Sequence, residues 1–139
     1  MDKRWTHSNK SIYNLGYHFI WCPKYRRAIL IDDVAKRLKE LLIEKSLIMN
    51  VKIEKMEIMP NHIHLFIKAE PIDSPHWIVQ QLKGYTSNIL RKEFKHLTTK
   101  LPTLWTRSYY CESVGHISEK TILKYIEEQK NKQPNAFNL

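Results

Sequence analysis

His62 and His64 are the residues whose type and spacing point most directly to chemistry. They lie in the run from Asn61 to Lys68, where Ile63, Leu65 and Ile67 alternate with polar neighbours in the manner of a half-buried strand. Side chains two apart on a strand leave from one face, so both imidazoles stand together while the three aliphatics enter a core. Two nitrogen ligands are thereby preplaced for one metal ion. Two solvent-facing histidines give the same pattern, so the pair needs partners. Tyr125 and Gln129, four apart in a helical stretch, share a helix face and can offer a phenol and an amide oxygen together. That face borders Ile122, Leu123 and Ile126, beside which a tyrosine also serves as plain packing.

What these residues act on is suggested by charge. The chain of 139 residues carries 23 Lys and Arg against 14 Asp and Glu, a net charge of +9. Such a surplus favours a polyanion, nucleic acid first, over an acidic protein or a neutral metabolite. The excess is concentrated. Residues 1–27 hold six basic side chains to one acidic, residues 83–107 hold another six to one, and the remainder is close to balance. Both basic stretches are interleaved with aromatics, Trp5, Tyr13, Tyr17, Trp21 and Tyr25 in the first, Tyr85 and Trp105 in the second. Cations for phosphates beside rings that stack on unpaired bases suit single-stranded nucleic acid. Core rings under a solvated charged face have the same composition.

The elements that must position these groups form one unit. Length allows a single domain over residues 1–139, 42% hydrophobic and 27% charged residues are globular values, and no repeat or internal linker interrupts the chain. Leu15 to Cys22 and Ala28 to Ile31 read as strands joined by a basic hairpin tip, Pro23 to Arg27, whose Lys24, Arg26 and Arg27 are candidate phosphate contacts. Val34, Leu38, Leu41 and Leu42 mark an amphipathic helix from Asp32 to about Leu47, with Asp32 or Asp33 as cap. Val51, Ile53, Met56 and Ile58 suggest a strand before the one that carries the histidines. Ser74 and Pro75 start a second helix that runs to about Phe94, with Ile78, Leu82, Tyr85 and Ile89 facing inward. Lys83, Ser87, Arg91 and Lys95 then share an outer ridge suited to backbone phosphates, and Gly84 permits close approach. Ser108 to Ser113 reads as a short strand, Ser118 as the cap of a last helix to about Lys130, and residues 131–139 as a tail. The expected fold is α+β, helices against one face of an antiparallel sheet. Two cysteines, Cys22 and Cys111, exclude a disulfide scaffold, and no apolar run approaches the ~18 residues of a membrane span. With no signal-peptide pattern at Met1 to Trp5, a soluble cytoplasmic protein without a membrane partner is expected.

Four blocks occur here in a familiar order: Tyr17 to Arg27 (YHFIWCPKYRR), Met59 to Leu65 (MPNHIHL), Leu82-Lys83-Gly84, and Lys124 to Gln129 (KYIEEQ). Together they resemble the small single-tyrosine HUH transposases of insertion sequences that move as single-stranded DNA, over about Tyr13 to Lys132. The resemblance implies the ferredoxin-like, RRM-like HUH fold, with His62 and His64 as the two histidines of the motif, Tyr125 as nucleophile and Gln129 as the residue that completes the metal site. Asn61 stands where many relatives carry Asp. It also implies a homodimer in which the tyrosine helix of one subunit can serve the histidines of the other, and single-stranded DNA with hairpin ends as partner. Two imidazoles and an amide oxygen suit Mg²⁺ or Mn²⁺ with positions left open for a phosphate. Attack by Tyr125 then leaves a 5′-phosphotyrosine and a 3′-OH, and reversal by a second 3′-OH rejoins DNA without ATP.

Two other readings use the same residues. A metal-dependent hydrolase would take His18 or His116 as a third ligand, though neither lies at a zinc spacing. A non-catalytic module for single-stranded nucleic acid explains the charge but not the joint presence of His62, His64, Tyr125 and Gln129.

Overall fold

Strict alternation in two runs decides the middle of the fold, because each offers an apolar face that must be covered and an opposite face that need not be. The computed structural model describes residues 15–114 with their side chains, the backbone of residues 6–7 and 12–13, and residues 127–128. Strands β1 (Thr6–His7) and β2 (Ile12–Tyr13) pair as a short antiparallel ribbon. Then come β3 (Gly16–Trp21), a 3-10 turn (Lys24–Arg26), α1 (Asp32–Met49), β4 (Lys52–Met59), β5 (His62–Lys68), α2 (Pro75–Glu93), the one-turn α3 (His96–Thr99) and β6 (Tyr110–Ser113). The sheet runs β4-β5-β3-β6, antiparallel throughout.

Phe19 and Trp21 of β3, Ile63, Leu65 and Ile67 of β5, and the inner stripes of α1 (Val34, Leu38, Leu41, Leu42) and α2 (Ile78, Val79, Leu82, Leu90) form one buried core. Both helices therefore lie on the same side of the sheet, as α+β layering requires. Trp105 joins this core edge-on to Trp21 at 6.0 Å, and its indole N–H donates to the buried Thr86 hydroxyl at 3.1 Å. Trp21, also buried, finds no acceptor for its indole N–H among the described residues.

Local chemistry explains most boundaries. The Ser74 hydroxyl accepts the Trp77 N–H, Pro75 sits at the first helical position, and Asn50 ends α1 in the left-handed conformation. At the start of α1 no side chain caps the helix; Ile31 is the N-cap, and Asp32 and Asp33 instead place negative charge in the first turn. In α2 the buried stripe is rotated towards Val79, Thr86 and Leu90, leaving Tyr85 and Ile89 at its margin.

Two departures from the sequence reading have clear causes. Ala28 to Ile31 is not a strand. Both edges of β3 are already occupied, by β5 and by β6, so the returning chain has no edge to pair with. Instead Pro23 bridges to Trp105, Lys24 N–H donates to the Leu104 carbonyl, and Leu30 N–H donates to that of Pro60. In β4 the apolar set changes phase between Ile53 and Met56 because a bulge at Glu54 shifts the register.

The last predicted helix falls outside the described residues except for Glu127 and Glu128, which are helical and exposed. Among the described residues no helix is long and apolar enough to cross a membrane.

Candidate functional site

Register assembles the site on the face of the sheet away from the helices. Ile20 stands opposite His64 and His18 opposite Phe66 across β3 and β5. Glu57 stands opposite His64 and Met59 opposite His62 across β4, and Glu112 opposite His18 across β6. Residues paired this way share a face, so His18, His62, His64, Phe66, Glu57 and Glu112 all leave from the uncovered side.

The two histidines of β5 are half-buried and leave from the same face of the strand. His62 Nδ1–H donates to Asn61 Oδ1 at 2.9 Å, which fixes the proton on Nδ1 and turns the Nε2 lone pair outward, the state a metal requires. An amide oxygen here does what a carboxylate at this position would do. His64 is held otherwise: its Nε2 lies 3.0 Å from Nδ1 of His18, with ring centroids 5.0 Å apart. His18 in turn packs against Phe66 at 5.0 Å. The row needs Gly16, since a Cβ there would lie 2.6 Å from the Phe66 ring.

Among the described residues no group of three or more His, Cys, Asp or Glu side chains converges on one point. Among the described residues the donors side by side are the imidazoles of His62 and His64, which fit a divalent ion that takes its other ligands elsewhere. The sequence-predicted Tyr125 and Gln129 lie outside the described residues, as does His116. The sequence offered His18 only as a third ligand at no zinc spacing; it belongs to the open face, and only the pairing register of β3 with β5 puts it beside His64.

The basic residues divide into two kinds. Arg26 and Arg27 are exposed at the turn after β3, where Tyr25 (φ 61°) and Arg26 (φ 51°) are both left-handed without being glycine. Consecutive strained residues of this kind cost about 1–3 kcal/mol each, and here they hold Tyr25 outward, 63% exposed. Lys24 Nζ lies 5.4 Å above that ring. The ridge expected on α2 is different from its prediction. Lys83 Nζ turns in to the carbonyls of Thr106, Arg107 and Ser108 at 2.5, 3.5 and 3.4 Å, and Arg91 Nη1 donates to that of Leu101 at 3.2 Å. These two cations tie down the segment before β6, while Lys95 has left α2 and caps α3. Lys83, Lys24 and Arg107 then line a cleft of about 360 Å³ floored by Gly84 and Ser87.

Two outcomes follow from this cleft. Lys83→Met removes the loop's anchor and lowers stability by about 1–3 kcal/mol in thermal denaturation. Burial pushes the Lys83 ammonium below the usual lysine value, so folding takes up stability as pH rises from that lowered value towards the unfolded one. The variant flattens that part of the curve. Among the described residues a Cβ on Gly84 meets nothing within 4 Å, so none of them makes the close approach expected of it. Gly84→Ala therefore raises helix stability by about 0.5–1 kcal/mol. If the cleft receives a DNA backbone, the same methyl weakens single-strand binding in a fluorescence anisotropy titration; unchanged affinity removes the cleft from the interface.

Fold and site together define an α+β protein whose sheet displays a strand pair of imidazoles on one face and carries its helices on the other. Residues 11–129 match the family model described as Transposase IS200 like. The chain is 36% identical over 124 residues to the ISDra2 transposase TnpA of Deinococcus radiodurans, covering 88% of this chain and 89% of that one. It is 31% identical over 119 residues to the transposase for insertion sequence element IS200 of Salmonella typhimurium, covering 84% and 78%. A crystal structure described as a transposase of Deinococcus radiodurans R1 superimposes with a TM-score of 0.74 at 33% identity, over 89% of this chain and 97% of that one. A REP-associated tyrosine transposase bound to a REP hairpin shares the fold at a TM-score of 0.54 and 16% identity, over 91% and 74%. The chain belongs to the IS200-like transposase family.

Proposed function

We propose that this transposase cuts and rejoins single-stranded DNA at insertion-sequence ends through a 5′-phosphotyrosine on Tyr125. The observation that carries the reading is the presence of His62 and His64 together on the open face of β5, with the His62 proton held on Nδ1 by Asn61.

Each residue has a task in that chemistry. The Tyr125 hydroxyl loses its proton and attacks the scissile phosphorus; the new P–O bond to tyrosine forms as the bond to the 3′-oxygen breaks, and that oxygen takes a proton to become a 3′-OH. Energy is conserved in the phosphotyrosine, so another 3′-OH can reverse the attack and join a new end. His62, His64 and the amide oxygen of Gln129 would hold Mg²⁺ or Mn²⁺, which when bound polarises the phosphate and stabilises the departing oxygen. Burial of Ile63, Leu65 and Ile67 beneath the pair fixes the strand, so the two imidazoles keep their spacing without help from a ligand. Lys24, Arg26 and Arg27 hold backbone phosphates beside the exposed Tyr25, and Arg107 extends this charge along the cleft. Lys83, Arg91 and Lys95 act on the same DNA chiefly through the field of their charge, the first two being turned to carbonyls. Hairpin-ended DNA is the partner, in the cytoplasm, and a homodimer lets the tyrosine helix of one subunit complete the site of the other.

The test is to incubate the full chain with Mn²⁺ and single-stranded DNA, then denature. A protein–DNA adduct that survives denaturation, and that Tyr125→Phe abolishes, supports the reading. Cleavage without an adduct points to hydrolysis, and binding with neither points to a module without catalysis; either result overturns it.

A further inference from the structure

Strand transfer as proposed uses His62 and His64 and leaves His18 without a task, although its ring is bonded to one of them. We propose that His18 is a positioning residue for His64, holding its Nε2 while no ion is bound and surrendering it when one enters. This rests on the reading of His62 and His64 as metal ligands.

The geometry sets two claims on one atom. A neutral imidazole has one N–H and one lone pair, so a ring-to-ring bond engages Nε2 of His64 whichever ring carries the proton. The ion claims the same nitrogen. Residues two apart on a strand have Cα atoms about 6.7 Å apart and side chains that rise in parallel. Rings of equal reach that leave one strand face two residues apart meet a single ion most directly through matching nitrogens. On His62 the matching nitrogen is Nε2, because Nδ1 is bonded to Asn61. In that matched arrangement His64 offers Nε2 as well, and the bond to His18 opens.

His18 is not placed to become a third ligand in exchange. Its ring lies against Phe66, which itself covers Gly16, and β3 is paired on both edges, so the backbone beneath it cannot shift towards β4. It sits diagonally behind His64, on the side away from Glu57. The arrangement keeps the His64 ring in one rotamer before loading and makes ion entry an exchange of one partner for another.

Two substitutions separate the roles. His18→Phe preserves a ring against Phe66 and removes the nitrogen; His18→Asn places an amide where Nδ1 stands and keeps a partner for His64. In calorimetric titration of the DNA-free full chain with Mn²⁺, His18→Phe binds about two- to tenfold more tightly than the natural chain, while His18→Asn stays within about twofold. Ring ¹⁵N spectra of the natural chain report the same event directly: coupling between the two rings is present without ion and vanishes on saturation with Mg²⁺. This measurement stands even if a variant fails to fold. Unchanged affinity in folded His18→Phe makes His18 a packing residue and overturns the proposal. A loss of tenfold or more makes it a ligand and overturns it too. Absence of ion binding in the natural chain overturns the metal reading itself, and persistence of the ring coupling at saturation overturns only the exchange.

Discussion

His64→Ala lowers the rate of single-strand cleavage by at least about tenfold and lowers thermal stability by no more than about 1.5 kcal/mol, the cost of its bond to His18. The two halves of this expectation come from opposite faces of β5. On the open face, the proposed metal site takes His64 as one of its two imidazole ligands, and loss even of a residue that merely orients a metal ligand costs about 10–100-fold. Loss of the ligand costs no less. On the core face nothing changes, because Ile63 and Leu65 remain fully buried and the truncated ring leaves a gap open to water rather than a cavity. Single-turnover cleavage and differential scanning calorimetry on the same preparation separate the effects. Chelation of the natural chain should reproduce the first without the second. A variant that still cleaves at the natural rate would show that the imidazole pair is not the centre of the chemistry.

How far the sequence could be read follows from how local each signal is. The alternation of His62 to Lys68, the stripe of α1 and the Ser74-Pro75 start of α2 are written within a few residues, and the structure keeps them. Ala28 to Ile31 failed because a strand also needs a free edge, and whether β3 has one depends on β6, some 90 residues away. The bulge at Glu54 was visible only as a broken alternation, which period counting alone treats as noise. Lys83 and Arg91 share the spacing of an outer ridge, but helix spacing gives the direction of a side chain's root and not of its tip; long flexible stems let both cations fold back onto carbonyls of the loop. At the site, His62 and His64 were legible because two residues on one strand fix each other's side. His18 was not, since its place beside His64 is set by inter-strand register, which no local pattern encodes. Tyr125 and Gln129 rest on the family resemblance and on chemistry, as they lie outside the described residues.

The largest loss of stability is expected from Phe19→Ala, about 3–5 kcal/mol. Phe19 is fully buried in β3, a strand with a neighbour on either side; it faces Leu65 across one pairing and Cys111 across the other. Its ring also meets Tyr17 at 5.9 Å and, edge-on, Tyr109 at 6.5 Å. Its cross-strand partner Leu65 is itself fully buried and close-packed, so little of the space is refilled. With about 5–15 kcal/mol holding a domain of this kind together, the variant sits near the edge of folding at 37 °C, and its melting temperature falls by roughly 10 °C or more. Phe19→Leu, which keeps most of the volume, costs less than about 1.5 kcal/mol. Catalysis should respond differently. His18 and Ile20, the residues on either side of Phe19, leave from the opposite face and are held by the backbone pairing of β3 with β5 rather than by the ring. Measured well below its melting temperature, Phe19→Ala therefore retains cleavage within about tenfold of the natural chain, the inverse of what His64→Ala does. Cleavage lost in proportion to stability at low temperature would mean that the core positions the imidazoles through the ring of Phe19 and not through the strand ladder.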